Sequence, residues 1–125
     1  MILSEQQQLF ARDVGKLLVF MYTQTNYRCT FGDAYRSQQQ AEWNAQHGLG
    51  IQDSLHCQRL AIDLNLFDCG NKLDGNCTLV SAYNAYEQFG KYWESLDPQN
   101  RWGGYFVSKY GGHIVDQDHF ERKPE

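Results

Sequence analysis

The 125-residue chain lacks a basic stripe, a long apolar run and a paired-cysteine motif, and each absence excludes something. Its 11 Lys and Arg against 15 Asp and Glu leave a net charge of −4, which argues against a nucleic-acid partner. A nucleic-acid binder would cluster cations on one face. No apolar stretch approaches the roughly 18 residues of a membrane span, so membrane insertion is not expected. The opening "MILSEQQQLFARDVGK" lacks a basic n-region and a small-residue cleavage site, so it does not read as a signal peptide. A cytoplasmic product is therefore expected. Cys29, Cys57, Cys69 and Cys77 form no C-x-x-C pair, which speaks against a cysteine zinc site. Cys69 and Cys77 flank "GNKLDGN" and would pair in an oxidising place, but in a cytoplasmic product free thiols are expected. No repeat, low-complexity tract or linker divides the chain, so residues 1–125 read as a single domain, and a monomer is expected.

What is present is enough for a core. Apolar residues make up 42% and aromatics 14%, which argues against a disordered chain. Ser4 with Gln7 resembles a capping box, and Leu9, Phe10, Val14, Leu17, Leu18 and Met21 follow at helical spacing, predicting a helix from Glu5 to Thr25. "YRCTFGDAY" reads as strand, turn and strand edge. Ser37 can cap a short helix over "QQQAEWNAQH". "HCQRLAIDLNLF" alternates Leu60, Ile62, Leu64 and Leu66, a strand with Asp63 on its other face. "DCGNKLDGNCT" is a loop or hairpin tip. Tyr83, Tyr86, Phe89, Tyr92 and Trp93 mark a helix over Val80 to Leu96, ended by Asp97-Pro98. "RWGGYFVSKYGGH" suggests short strands with a tight turn, and "IVDQDHFERKPE" a last strand and tail. Irregular interleaving of helix and strand predicts an α+β fold with a small antiparallel sheet and flanking helices.

Two short stretches can do chemistry. In "SLHCQRLAID", His56 precedes Asp63 by seven residues. On a straight strand an odd separation puts them on opposite faces. On a helix they stand roughly 10 Å apart along the axis, awkward for ligand bonds of about 2 Å. They share a metal ion only if His56 lies in a loop entering the strand. In "DQDHFE", His119 follows Asp116 by three and Asp118 by one. Two imidazoles and one carboxylate leave a tetrahedral ion with an open position, the layout of a catalytic zinc site. Zinc lowers the pKa of water at that position from about 16 to about 7. Asp116, Asp118 or Glu121 then serves as general base. The blander readings are a loop histidine at His56, a helix-end residue at His47, a turn residue at His113, and core packing for Trp102 and Tyr105, which otherwise line a substrate groove. Cys57 reads as a small buried residue.

These residues also carry a resemblance. "SLHCQRLAID" resembles the S-x-H-x-x-x-x-A-x-D signature of the D-alanyl-D-alanine carboxypeptidase and dipeptidase group of zinc peptidases. "AYRSQQQ" is similar to that group's Y-R-S segment with its downstream Gln. "RWGGYF … DQDHFE" resembles the W-G-G … D-x-x-H-F-E ending of its phage branch, the L-alanyl-D-glutamate endopeptidases that act as endolysins. D-Q-D-H in place of the dipeptidases' E-x-W-H favours the endopeptidase branch. The resemblance implies a hedgehog and DD-peptidase type of fold, and zinc held by His56, Asp63 and His119. It further implies Asp116 as general base, Arg36 as the cation on the developing oxyanion, and Ser54, Gln40 and Trp102 as supporting or substrate-binding residues. Arg59 stands where many carboxypeptidase relatives carry Gly. The implied partner is the stem peptide of bacterial peptidoglycan. The implied route is a protein held in the cytoplasm of the producing bacterium and released to the wall through a holin-type hole. A D-alanyl-D-alanine carboxypeptidase or dipeptidase, and a non-catalytic wall-peptide binder, are the alternatives.

Overall fold

The computed structural model describes residues 1–49, 54–70, 76–106 and 115–125. In chain order these are α1 (Leu3–Gln24), β1 (Tyr27–Phe31), α2 (Gln38–Gln46), a 3₁₀ turn (Leu55–Gln58), β2 (Ala61–Asp68), β3 (Thr78–Val80), α3 (Tyr83–Leu96), β4 (Asn100–Trp102), a second 3₁₀ turn (Gly103–Tyr105) and β5 (His119–Arg122). The expected α+β class with an antiparallel sheet is what forms.

β2 is the hub. β1 lies along one edge, while β5 and β3 share the other, β5 pairing with Ala61 to Asp63 and β3 with Leu66 to Asp68. β4 closes the far side of β5, giving the order β1-β2-β5-β4 with β3 off that path, and every pair is antiparallel. Between β5 and β3, β2 has no neighbouring strand among the described residues, and a side chain takes the place of one. The Tyr86 hydroxyl donates to the Leu64 carbonyl at 2.8 Å and accepts from the Leu66 amide at 3.1 Å. Burial pushes that phenol up to about 12, so it stays a donor at any ordinary pH.

The pleat sorts β2 as its sequence suggests. Ile62, Leu64 and Leu66 face the helices, packing with Phe10, Leu17 and Met21 of α1 and Tyr86, Phe89 and Trp93 of α3. Asp63 and Asn65 face away. The same alternation on β5 sends Phe120 and Arg122 to the helical side and His119 and Glu121 to the other.

Several local readings change. α1 starts a little early, at Leu3, so Ser4 lies inside it; Glu5 reaches back to the Ile2 amide instead. Its buried stripe is Gln6, Phe10, Asp13, Leu17 and Met21, rotated from the purely apolar stripe. The two polar members find distant partners. Gln6 Oε1 accepts from Arg122 Nε at 2.6 Å, and Asp13 Oδ2 accepts from Asn100 at 3.1 Å. After β1 the chain leaves regular pairing instead of forming a second strand, yet it stays on β2: Gly32 donates to the Asp63 carbonyl and the Asp63 amide donates to Asp33. Residues 78–80 form β3 before α3 begins at Tyr83. Ser37 caps α2 as expected, accepting from the Gln40 amide. Cys69 and Cys77 are joined in a disulfide, contrary to the expectation of free thiols. Asp68 pairs across from Thr78, which brings the next residue on each strand end face to face. The readings for His113 and for residues 71–75 and 107–114 lie outside the described residues.

Candidate metal centre

His56 lies in the 3₁₀ turn that enters β2, not in the strand itself. Ser54 starts that turn, its hydroxyl accepting from the His56 amide at 3.2 Å. The turn ends on Arg59 with φ 55°, a left-handed conformation that an L side chain adopts at a cost of about 1 kcal/mol or more. A glycine would take this conformation without that cost. Arg59 keeps the conformation with its guanidinium 4.1 Å above the ring of Tyr35. The turn swings the His56 ring back over Asp63, which removes the odd-spacing problem.

β5 supplies the other imidazole. Asp63 and His119 are directly opposed in the β2–β5 register, on the face away from the helices. His56 Nε2 lies 3.4 Å and His119 Nδ1 3.3 Å from the same oxygen, Asp63 Oδ1. One ligand atom from each of the three lies within 4.8 Å of the others. Atoms bound about 2.0 to 2.1 Å from a tetrahedral ion stand about 3.3 to 3.4 Å apart. Both imidazole-to-carboxylate spacings meet that requirement.

The electrostatics match the donor set. The histidines are 3% and 7% exposed. Burial alone would raise the Asp63 carboxyl, but the hydrogen bonds and charges of His119 and His56 outweigh it and hold it well below the usual range. Burial would lower His119, but Asp63, Glu121 and Asp116 outweigh it and lift it to about 9. A divalent cation at the common point would replace the protons these groups now share. The three residues therefore fit a metal ion with nitrogen and oxygen ligands, the set that suits zinc.

The other expected residues distribute unevenly. Asp116 is brought in: its Oδ2 is 3.8 Å from His119 Nδ1 and its side chain is half exposed. It is locked there by a close approach. The Asp116 amide donates to the Gly103 carbonyl, and a Cβ on Gly103 would fall 2.1 Å from the Asp116 carbonyl oxygen. Arg36 is tied to the ligand turn through its backbone, its amide donating to the His56 carbonyl at 3.2 Å, while its guanidinium pairs with Asp33 at 3.0 Å. Ser54 braces His56. Gln40 turns its side chain to Asn44 at 2.7 Å on its own helix. Trp102 is a correction as a substrate-binding residue. It has no exposed surface; Cβ atoms on Gly90 and Gly104 would fall 2.0 and 2.3 Å from its ring, and Nε1 donates to the Gln117 carbonyl. Two side-chain hydrogens in place of Cβ atoms let the indole slot between α3 and the 3₁₀ turn, so it is core.

Two acids behave otherwise than their sequence positions suggest. Asp118 stands beside Asp116. It shares a hydrogen bond with Asp116, and burial, then that bond and the nearby charges of Asp116 and Asp63, push its carboxyl up to about 7. Glu121 is no candidate base, because it meets His119 from the other side: its Oε1 is 2.8 Å from Nε2, and it is buried. A spacing of two on a strand already placed His119 and Glu121 on one face, which was the available signal. Cys57 sends its thiol toward the Ser37 carbonyl, outside the cluster. His47 closes α2, its ring Nδ1 2.7 Å from the Trp43 carbonyl.

No protein-family model matches the sequence, and no curated protein matches it. Among solved structures, the chain is similar to the Serratia marcescens L-Ala D-Glu endopeptidase ChiX, with a TM-score of 0.64 and 16% identity over 96% of this chain and 85% of that one. At that identity the likeness is one of fold: the chain folds as that peptidase does.

Proposed function

We propose that the protein is a zinc peptidase that cuts the stem peptide of bacterial peptidoglycan at the L-alanyl-D-glutamate bond. The observation that carries the reading is the His56–Asp63–His119 cluster, whose two imidazole-to-carboxylate spacings suit a tetrahedral ion. The fold of an L-Ala D-Glu endopeptidase and the three motif resemblances support the substrate class.

His56, Asp63 and His119 would hold the zinc ion, which would supply Lewis-acid polarisation of the scissile carbonyl and make water more acidic. Asp116 stands beside His119 with half its side chain in solvent, so it can take the proton of the attacking water and return it to the leaving amine. The Asp118 carboxyl beside it, pushed up to about 7, is about half protonated at neutral pH and so adds only part of a second charge next to Asp116. Arg36 answers the charge that develops on the carbonyl oxygen, a use suited to a guanidinium anchored by its backbone to the ligand turn. Ser54 holds that turn. The protein acts as a monomer on the wall after release from the producing bacterium. The Cys69–Cys77 disulfide suits action outside a reducing cytoplasm.

Digestion of purified peptidoglycan, with mass spectrometry of the new termini, tests the assignment. Free N-terminal D-glutamate supports it. Released D-alanine would move the chain to the carboxypeptidases, and an unchanged wall with bound protein would make it a binding module.

A further inference from the structure

The face of β5 that carries His119 carries a second acid with no part in the steps above. Glu121 is two residues on, so the pleat points it the same way. It is 6% exposed, and its Oε1 lies 2.8 Å from His119 Nε2. An ionised carboxylate only accepts, so this contact requires a hydrogen on Nε2. The other ring nitrogen, Nδ1, is the one that faces Asp63 at 3.3 Å. A ring flip would put carbon against both carboxylates and forfeit both contacts.

The carboxylate is itself fixed. Arg101 is directly opposite Glu121 in the β4–β5 register, and its Nη2 pairs with Oε2. Trp93 Nε1 donates to the Glu121 backbone carbonyl at 3.0 Å. Phe106 packs 5.6 Å from the His119 ring, on the way to the Arg101 guanidinium. No such support serves the other imidazole: among the described residues, the buried Nδ1 of His56 has no hydrogen-bond partner. One of the two rings is thus built into a chain of fixed partners, running Arg101, Glu121, His119.

We propose that Glu121 is a positioning residue that sets the tautomer and orientation of His119, presenting the Nδ1 lone pair to the metal, with Arg101 holding Glu121 in place. This deepens the metal reading given above and rests on it. A carboxylate behind a ligating imidazole raises the basicity of the ring and its hold on the ion, and losing one typically weakens metal binding about 10- to 100-fold.

The experiment compares wild type with Glu121→Gln and Arg101→Met. Zinc affinity is measured by chelator competition, and the His119 ring nitrogens are followed by NMR of ¹⁵N-histidine protein loaded with zinc. Wild type should show zinc on Nδ1 and a proton on Nε2. Glu121→Gln should bind zinc at least ten-fold more weakly and lose the low-field Nε2–H signal of a charge-assisted bond. In a His119→Ala background the same substitution should change zinc affinity less than two-fold, a separation that a merely structural role would not produce. A smaller loss in Glu121→Gln, or an unaltered ring signal, overturns the proposal. If Glu121→Gln does not fold, Arg101→Met decides by its ring signal, since that cation is half exposed and its removal leaves both buried partners intact. A wild type that binds no zinc would overturn the metal reading and this inference together. A wild type that binds zinc beside an equally avid Glu121→Gln overturns this inference alone.

Discussion

Asp116 stands at the wet edge of the cluster, and Asp63 at its centre, on the same side of the His119 ring. Their exposures differ, half against about a fifth, and so do the tasks proposed for them. Asp63 is held ionised by two imidazoles and is suited to ligate, while Asp116 is free to exchange a proton with water. Replacing Asp116 with Asn should therefore lower kcat about 10²- to 10⁴-fold and leave zinc content unchanged. Wall digestion at more than a tenth of the wild-type rate would remove Asp116 from the base role. Arg59 offers a test of backbone cost at the same scale. Both Arg59→Gly and Arg59→Ala lose the contact with Tyr35, but only Gly relaxes at φ 55°. The Gly variant should be the more stable of the two by about 1 kcal/mol in denaturant unfolding, and equal stabilities would contradict the strain.

At the scale of elements, the centre depends on how the Gly103–Tyr105 turn sits against the entry to β5. Gly103 donates no side chain, and the Asp116 carbonyl and the His119 Cβ occupy the space one would need. Gly103→Ala should push Asp116 and His119 apart from their present places, weakening zinc binding and activity together, with a stability loss of about 1 to 3 kcal/mol. Unchanged zinc affinity would show that the turn does not set the centre. The alternation of Leu60 to Leu66 marked β2 and turned Asp63 outward, and the helical spacing of Tyr86, Phe89 and Trp93 marked the face of α3, because burial of one side writes a period into the chain. The set His56, Asp63, Asp116 and His119 came from the motif resemblance, the residues alone leaving Asp116, Asp118 and Glu121 open as base. What was not legible depends on partners far along the chain. Gln6 and Asp13 sit in the stripe of α1 because Arg122 and Asn100 meet them there. Glu121 turns from candidate base to brace because the register sets Arg101 across from it. Trp102 becomes core because two glycines leave it room. Cys69 and Cys77 meet because β2 and β3 end in register.

The whole molecule is tied together by a buried polar knot around Arg122. Arg122 is fully buried, with Gln6 on Nε and Asp97 2.9 Å from Nη1. The knot ties the start of α1, the end of α3 and the last strand together. Burial pushes the Asp97 carboxyl up, but the Gln99 amide, Arg122 and Arg12 outweigh it and hold it below the usual range. A carboxyl lowered in the folded state contributes stability that is complete above its unfolded pKa of about 3.9 and is lost as pH falls through the folded value. The advantage of wild type over Asp97→Asn should therefore shrink as pH is lowered from about 5 to about 2, and a constant difference in unfolding free energy would contradict that linkage. The Cys69–Cys77 bridge, eight residues apart in sequence, closes a short loop at the β2–β3 end and contributes on the order of 2 to 3 kcal/mol once formed. No helix among the described residues is long and apolar enough to cross a membrane.

Metal analysis of the purified protein, wild type beside His119→Ala, tests the central claim most directly. About one zinc per wild-type chain is expected, and less than a tenth of that in the variant, both chains folded. Equal metal in the two, or a wild type that takes up none from zinc-containing buffer, would contradict it.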